Sequence, residues 1–183
     1  KGTLCTLPSS TQIISLNGKS FKEICSEILK LGEQLDAEKK AIQHVNKAIE
    51  RKDKLDQLPK HSHRVLCLEW IDPYFSAGHW VPEQIEMAGF HSAIGEKGEI
   101  SRVLTIDEIV ASEPDVIAVI CCGYKIEENR SFVKTLKTNS EINFLKPFLS
   151  KNVYAFDSDS FFSRPTTRII EGAEQLRDAI LNK

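Results

Sequence analysis

Short apolar segments of strand type alternate with amphipathic segments of helix type from residue 64 to the end of the chain. Residues 115–122 are the best strand candidate, because a continuous run of Val and Ile is typical of a strand buried on both faces of a parallel sheet. Residues 64–70 and 152–156 have similar patterns, and residues 165–181 form an amphipathic helix pattern. This alternation predicts an α/β fold, with a Rossmann-like parallel sheet, right-handed crossovers and helices on both faces.

Two helices are predicted before the sheet begins. Ser20 and Glu23 form a capping box that starts the first helix, and Gly32 is its expected end. The second helix is expected to begin at Asp36, a good N-cap, and to continue to about residue 57. It would be roughly 33 Å long at 1.5 Å per residue, with a densely charged outer face typical of an external strut. Its predicted apolar stripe consists of Ala41, Ile42, Val45, Ala48, Ile49 and Leu55.

The charge balance and the apolar runs exclude two classes of function. With 24 Lys and Arg against 26 Asp and Glu, the net charge is −2, and charges of both signs are interleaved. A nucleic-acid-binding protein would carry a concentrated basic patch, so we expect no nucleic-acid partner. The longest apolar run, residues 116–122, is far shorter than the roughly 20 residues of a membrane helix, so we expect no membrane insertion.

The five cysteines cannot form a complete disulfide framework within one chain, because their number is odd. No CxxC pair occurs, which argues against a zinc ribbon or a thioredoxin-type redox site. We expect Cys25, Cys67, Cys121 and Cys122 to be buried as small hydrophobic residues. Unpaired thiols favour a reducing compartment, and no signal-peptide pattern is visible at the N-terminus, so the localisation stays open, with a cytoplasmic location as one option.

Four segments follow the predicted strands: residues 69–80, 95–102, 122–125 and 157–164. In parallel α/β sheets ligands bind outside the carboxyl ends of the strands, so these segments are the expected site. Aromatic rings are concentrated in them, and such rings either cover the sheet edge or form the wall of a ligand site. We favour the wall. Flat rings with few charges suit a large, planar, partly apolar ligand.

The predicted site has an aromatic wall and a set of polar anchors. The wall consists of Trp70, Tyr74, His79, Trp80, Tyr124, Phe161 and Phe162. The anchors are Glu69, Ser101, Arg102, Asp157 and Arg164. Ordinary structural roles are the alternative for several of them. Trp70 and Trp80 could pack a helix onto the sheet, and Arg164 could pair with an aspartate of its own loop.

An enzyme is the main alternative that the residues leave open. Glu69, Asp72, His79 and Asp157 could converge at the carboxyl edge as an acid/base or metal-hydrolase cluster. However, the sequence contains no GxSxG elbow, no P-loop and no GxGxxG after the first strand. The number of aromatic residues also exceeds what a small hydrolytic site needs. We therefore expect a binding protein that carries out no reaction.

Residues 66–83, LCLEWIDPYFSAGHWVPE, resemble a segment of the cobalamin-binding substrate-binding proteins of ABC importers. Similar stretches at residues 14–32, 95–102, 107–119 and 154–164 keep that family's order. The resemblance covers nearly all of the chain from residue 11 onward. It implies a class III periplasmic-binding-protein fold, in which two α/β lobes are joined by one long helix and a corrinoid is held between them.

This resemblance implies three parts in the chain: residues 1–16 as a remnant of the N-terminal lobe, residues 17–60 as a helical segment with the interdomain helix, and residues 61–183 as the C-terminal lobe. The rest of the N-terminal lobe is missing, and a one-sided site loses contact area. The implied function is capture of a corrinoid such as cobalamin, with an ABC permease as partner and no intrinsic cofactor.

The resemblance also implies a periplasmic or cell-surface location. Receptors for haem, a siderophore or a bare metal ion share the two-lobed plan and remain alternatives. The Cys121-Cys122 pair departs from the family's pattern, and nothing in the sequence explains it.

Overall fold

The computed structural model describes residue 8 and residues 10–182 of the chain. Residues 1–7 and 9, half of the segment that we interpret as a lobe remnant, lie outside the described residues. Two helices come first, α1 over Phe21–Gln34 and α2 over Glu38–Asp56. The elements that follow are β1 (Arg64–Ile71), β2 (Tyr74–Ser76), α3 (Val81–Met87), β3 (His91–Ser92), α4 (Ile106–Ala111), β4 (Val116–Val119), α5 (Ile126–Thr138), α6 (Lys146–Leu149), β5 (Val153–Ala155), α7 (Ser158–Phe161) and α8 (Ile169–Leu181).

The strands form one sheet in which β1 lies between β2 and β4, and β5 follows β4 in the order β2-β1-β4-β5. β1, β4 and β5 are parallel, with Val65 opposite Val116 and Ile117 opposite Val153. β3 pairs in parallel with the start of β1. The predicted α/β fold with a parallel sheet is therefore confirmed.

Neighbouring residues of the parallel strands enter two apolar cores, one on each face of the sheet. Val65 and Cys67 belong to the core that β1 shares with α1, α2, α3 and α8. Leu66 and Leu68 belong to the core shared with α4 and α5. Because helices cover both faces, every residue of β4, Val116–Val119, is buried.

A hairpin follows β1 where the sequence predicted a loop. β2 pairs with β1 in the antiparallel direction, so the sheet is mixed at this edge. The Asp72–Pro73 peptide bond in the hairpin turn is cis. The hairpin moves the strand-end residues after Asp72 back along β1 instead of leaving them free above the sheet.

β4 is shorter than predicted, and this changes the environment of one cysteine. The strand ends at Val119, and a turn with Gly123 in the left-handed region (φ 78°) leads into α5. Cys122 lies in that turn and is exposed, so the prediction that it is buried was wrong. The other described cysteines, Cys25, Cys67 and Cys121, are buried as predicted.

The two N-terminal helices differ from the prediction at the connection between them. α1 continues past Gly32, because this glycine is a packing position: a Cβ there would lie 2.4 Å from the Cβ of Ala41 in α2. Asp36 has a left-handed φ of 52° and is not the N-cap of α2, which begins after Ala37. α2 has 19 residues and is therefore about 28 Å long.

Polar contacts attach α2 to the last helix of the lobe. The guanidinium of Arg51 pairs with Glu171 at 2.7 Å and with Glu174 at 2.6 Å, both on α8. Nε2 of His44 lies 2.8 Å from the hydroxyl of Thr167, just before α8. These contacts lie at two positions along α2, at His44 and at Arg51, and both attach α2 to α8 or to the residues just before it.

The apolar stripe of α2 is only partly buried. Ile42 and Ile49 are 48% and 40% exposed, whereas the other four predicted members are buried.

The last helix of the chain begins at Ile169 and not at residue 165. Within the described residues, no helix combines the length and apolar character that crossing a membrane requires.

Candidate functional site

The segments that follow the parallel strands line two adjoining hollows at the carboxyl edge of the sheet. The first, the Trp80 hollow, has a volume of about 470 Å³ and is lined by Trp80 and Phe162 among others. The second, the Trp70 hollow, has a volume of about 380 Å³ and is lined by Trp70 with Pro73, Phe75 and Ser101. Glu69 and Cys122 line both hollows. The candidate site therefore has a mostly apolar Trp70 hollow and a mixed Trp80 hollow, which Asn17, Lys19 and His79 also line, with Glu69 and Cys122 between them.

Glu69 occupies a β-bulge in β1. Leu68 is paired with Ser76 and Trp70 with Phe75, so β1 has one extra residue between these two pairs. A bulge interrupts the regular alternation of a strand and turns a side chain in a new direction. The bulge therefore accounts for a carboxylate in the part of β1 that is otherwise apolar, the residues after Arg64.

The Glu69 carboxylate has two hydrogen-bond donors and is half-buried. It accepts from the backbone N–H of Gly78, at 3.4 Å, and from the hydroxyl of Ser101. Burial raises the pKa of Glu69, and the two hydrogen bonds and the nearby His79 oppose this rise. Glu69 is therefore a carboxyl group whose charge costs free energy unless further donors approach it.

Gly78 allows the 99–101 segment to reach Glu69. A Cβ at this position would lie 2.4 Å from the Ser101 nitrogen and 2.7 Å from the Glu99 oxygen. The next residue, His79, has a φ of 56°, which is uncommon for a residue other than glycine. Its carbonyl accepts a hydrogen bond from the Gly98 N–H at 2.9 Å. The loop thus holds the His79 side chain at the Trp80 hollow.

Trp70 provides the exposed ring of the Trp70 hollow. Its side chain is 36% exposed, and its indole N–H donates to the Asp72 carbonyl at 2.9 Å. The ring of Tyr124 lies 5.6 Å away, and Phe132 packs edge-on against Tyr124 at 5.1 Å. Trp70 is therefore held in place from behind, with one part of the indole free for a ligand.

Trp80 and Phe162 belong to the core and also line the Trp80 hollow. They are only 9% and 2% exposed, and the Trp80 indole N–H donates to the Phe162 carbonyl at 3.1 Å. The Phe162 ring packs 5.6 Å from Phe156. The main role of this pair is to connect α3 to the segment after β5, and a small part of each ring faces the hollow.

Tyr74 and Phe161 line neither hollow. Tyr74 is buried, because β2 folds back onto β1, and its hydroxyl accepts a hydrogen bond from Asn139 at 2.8 Å. The Arg168 guanidinium lies 4.9 Å above the Phe161 ring, on a half-buried surface. The structure therefore places these two rings in packing roles and not in the predicted wall.

Three of the predicted polar anchors are engaged outside the hollows. Arg102 pairs with Glu108 at 2.7 Å, and Arg164 pairs with Asp159 at 2.7 Å. The Asp157 carboxylate caps α7. Glu69 and Ser101 are the predicted anchors that line a hollow.

Asn129 was not predicted and fixes the strand ends beneath the site. This fully buried residue of α5 accepts a hydrogen bond from the Cys121 N–H at 3.0 Å and donates one to the Phe156 carbonyl at 2.8 Å. One amide side chain thus connects the segments that follow β4 and β5. No local sequence signal predicts that a buried side-chain amide will form hydrogen bonds with the backbone of two segments that are distant in the chain.

Several lining residues were also missed. Pro73, Phe75, Cys122 and Ser163 lie in the strand-end segments, so the same rule about carboxyl ends could have found them. Residues 16–19 line the Trp80 hollow from a distant part of the chain, where the Asn17 N–H donates to Glu27. No local pattern predicts that placement.

The residues of the enzyme alternative have separate positions. Glu69 and His79 line the Trp80 hollow, whereas Asp72 is exposed in the hairpin turn and Asp157 caps α7. In the part of the chain that the structure describes, no three His, Cys, Asp or Glu side chains are placed to hold a metal ion.

Another hollow lies at the opposite edge of the sheet. It has a volume of about 570 Å³ and is lined by Arg64 and Asp115, where β1 and β4 begin. Lys146 forms an ion pair with Asp115 there. Because ligands of parallel α/β sheets bind at the carboxyl ends of the strands, we assign the site to the Trp70 and Trp80 hollows.

The fold is that of one lobe of a class III periplasmic binding protein. The chain belongs to the periplasmic binding protein family, because residues 6–160 match the sequence profile of that family. A comparison with curated proteins finds no match.

Solved structures of ABC transporter components have the same fold. An ABC transporter substrate-binding protein from Listeria monocytogenes EGD-e matches with a TM-score of 0.81 at 18% identity, over 92% of this chain and 67% of that chain. The periplasmic vitamin B12-binding protein BtuF of Vibrio cholerae matches with a TM-score of 0.69 at 16% identity, over 93% and 65%. S. aureus IsdE, solved with haem, matches with a TM-score of 0.75 at 20% identity, over 88% and 65%. This chain thus spans about two thirds of the length of these three structures.

Proposed function

We propose that this chain is the C-terminal lobe and connecting helix of a substrate-binding protein that captures a corrinoid such as cobalamin for uptake by an ABC transporter. The observation that carries the proposal is the pair of adjoining hollows at the carboxyl edge, in which aromatic rings lie beside polar groups such as Glu69 and His79. Family membership and the fold shared with the Vibrio cholerae vitamin B12-binding protein support it. So does the resemblance of residues 66–83 to cobalamin-binding receptors.

The chemistry of the hollows suits a flat ligand with a polar rim. The exposed part of Trp70, together with Pro73 and Phe75, offers an apolar surface for a ring system. Glu69 accepts hydrogen bonds from the rim of that ring system, where a corrinoid carries amide groups. Binding and orientation by these groups require no bond to form or break, so the proposed function includes no reaction.

The remaining part of the site would come from a second lobe. The two hollows are open, and the chain spans about two thirds of the length of the solved structures that it matches. A second lobe facing the same edge would cover the other side of the ligand and increase the buried area. We propose residues 1–16 as the remnant of that lobe and an ABC permease as the partner that receives the ligand.

Titration of the protein with cyanocobalamin, followed by tryptophan fluorescence, tests the proposal. Trp70 and Trp80 both line a hollow, so we expect a saturable quenching of their emission. Trp70→Phe should remove the larger part of the quenching, because Trp70 is the exposed indole. Zn²⁺ in a parallel titration is the control for a bare-cation receptor. Quenching no greater than that of free tryptophan at the same corrinoid absorbance would contradict corrinoid capture.

Haem is the second candidate, because the haem-bound S. aureus IsdE shares this fold. A thiolate or an imidazole can be an axial ligand of haem iron, and exposed Cys122 and His79 line the Trp80 hollow. Haem added to the protein would then give a shifted Soret band that Cys122→Ala or His79→Ala removes. Saturable haem binding without cyanocobalamin binding would favour this candidate.

A further inference from the structure

The boundary between the two hollows carries one acidic side chain, which lies beside the apolar wall of the Trp70 hollow and faces a more polar Trp80 hollow that Lys19 and His79 also line. Glu69 lines both hollows, and its neighbours in the Trp70 hollow are Trp70, Pro73 and Phe75. The bulge in β1 turns Glu69 out of the strand pattern. A local distortion that places a carboxylate beside an apolar wall is more than packing requires, because a neutral side chain would fill this position at a lower free-energy cost.

The hydrogen bonds of Glu69 leave part of its acceptor capacity free. A carboxylate has about four acceptor positions on its two oxygens. The Gly78 N–H and the Ser101 hydroxyl occupy one on each oxygen. Among the described residues, no Lys or Arg side chain lies within ion-pair distance of Glu69. The remaining positions are therefore available to donors that a ligand brings.

From this geometry we infer that Glu69 is a specificity-determining residue that selects a ligand edge carrying amide N–H donors and rejects one carrying a carboxylate. This inference rests on the proposed corrinoid function. An amide side chain of a corrinoid donates to a Glu69 oxygen and completes its hydrogen bonding. A carboxylate that reaches Glu69 from the Trp70 hollow has no proton to donate and sets two negative charges against each other beside an apolar wall. Discrimination by a repulsive contact is a general route to specificity.

Cyanocobalamin and its monocarboxylic acids, each with one peripheral amide hydrolysed to a carboxylate, are the probes that test the inference. Isothermal titration of the complete protein should show that at least one of these acids binds on the order of tenfold more weakly than cyanocobalamin. In Glu69→Gln, a side chain of the same shape without the charge, this preference should fall to about threefold or less. Circular dichroism would establish that the variant is folded.

A matched control variant separates the charge of Glu69 from the general effect of removing a carboxylate. Glu96→Gln removes an exposed carboxylate from the same loop region without touching either hollow, so it should keep the preference for cyanocobalamin.

The outcomes distinguish this inference from the proposed function. If cyanocobalamin and all the acids bind the unaltered protein equally well, or if Glu69→Gln keeps the preference, Glu69 does not select the ligand edge, and corrinoid capture still stands. If cyanocobalamin does not bind the unaltered protein at all, corrinoid capture is wrong and the inference is wrong with it.

Discussion

Truncation of the two tryptophans should affect different properties of the protein. Trp80 is 9% exposed and donates a hydrogen bond to the Phe162 carbonyl. Trp80→Ala would leave a cavity between α3 and the segment after β5 and remove that donor. We expect the free energy of unfolding to fall by about 3–5 kcal/mol, the usual range for a large aromatic residue removed from a core.

Trp70→Ala should cost much less stability. The Trp70 side chain is 36% exposed, so a smaller apolar area returns to water when it is removed. Its hydrogen bond to the Asp72 carbonyl joins residues two positions apart at the surface. We expect a loss of about 1–2 kcal/mol from these two contributions. Cyanocobalamin affinity, in contrast, should fall on the order of tenfold, because the exposed indole is an aromatic anchor of the proposed site.

Urea unfolding measured by far-UV circular dichroism is the suitable assay, since fluorescence itself changes when a tryptophan is removed. A lower midpoint with an unchanged m-value would report a true change in stability. The affinity of both variants for cyanocobalamin is then measured by calorimetry below the unfolding transition. Equal losses of stability in the two variants, or a loss below about 1 kcal/mol in Trp80→Ala, would refute the assignment of Trp80 to the core.

Three more predictions concern the frame of the site. Gly78→Ala should lower the free energy of unfolding by about 1–3 kcal/mol and weaken ligand binding, because the added Cβ would collide with the Ser101 backbone. Urea unfolding measures the change in stability, and titration with cyanocobalamin measures the change in binding. Asn129→Ala should lower stability by about 2–4 kcal/mol in the same unfolding assay, because two buried backbone groups lose their partners. Burial raises the pKa of Glu69, so ionisation destabilises the folded state as the pH rises above the value of the unfolded chain. Glu69→Gln should therefore gain stability relative to the unaltered protein as the pH rises from about 4, where a glutamate of the unfolded chain ionises, as measured by unfolding at each pH; a constant difference would contradict this sign.

The frame of the fold was predictable because it depends on local patterns. Each signal involves residues that are close together in the chain. Examples are the apolar runs with strand periodicity, the capping box at Thr105 and Glu108, and Pro82 at the start of α3. The parallel sheet follows from their alternation. The errors arise where a contact between distant residues decides the result, as at Gly32, which packs against Ala41 and does not end α1.

The candidate site was predictable as a place but not as a set of side chains. The rule about carboxyl ends indicates the segments that line the hollows, and Glu69, Trp70 and Ser101 lie there. It cannot tell whether a ring in such a segment faces the core or the solvent. Tyr74 is buried because the chain turns back as a hairpin, and the hairpin depends on pairing between β1 and β2.

The sequence by itself determined the order of strands and helices, the parallel direction of the main strands and the edge of the sheet at which we expect a ligand to bind. These properties follow from periodicity and chain connectivity, which are written in neighbouring residues. Only the tertiary structure decided that Trp80 and Phe162 bond to each other across 82 positions, that a bulge turns Glu69 toward both hollows, and that Cys122 is exposed. The physical reason is that burial and hydrogen bonding at those positions depend on residues that are distant in the chain and meet only when the sheet has formed.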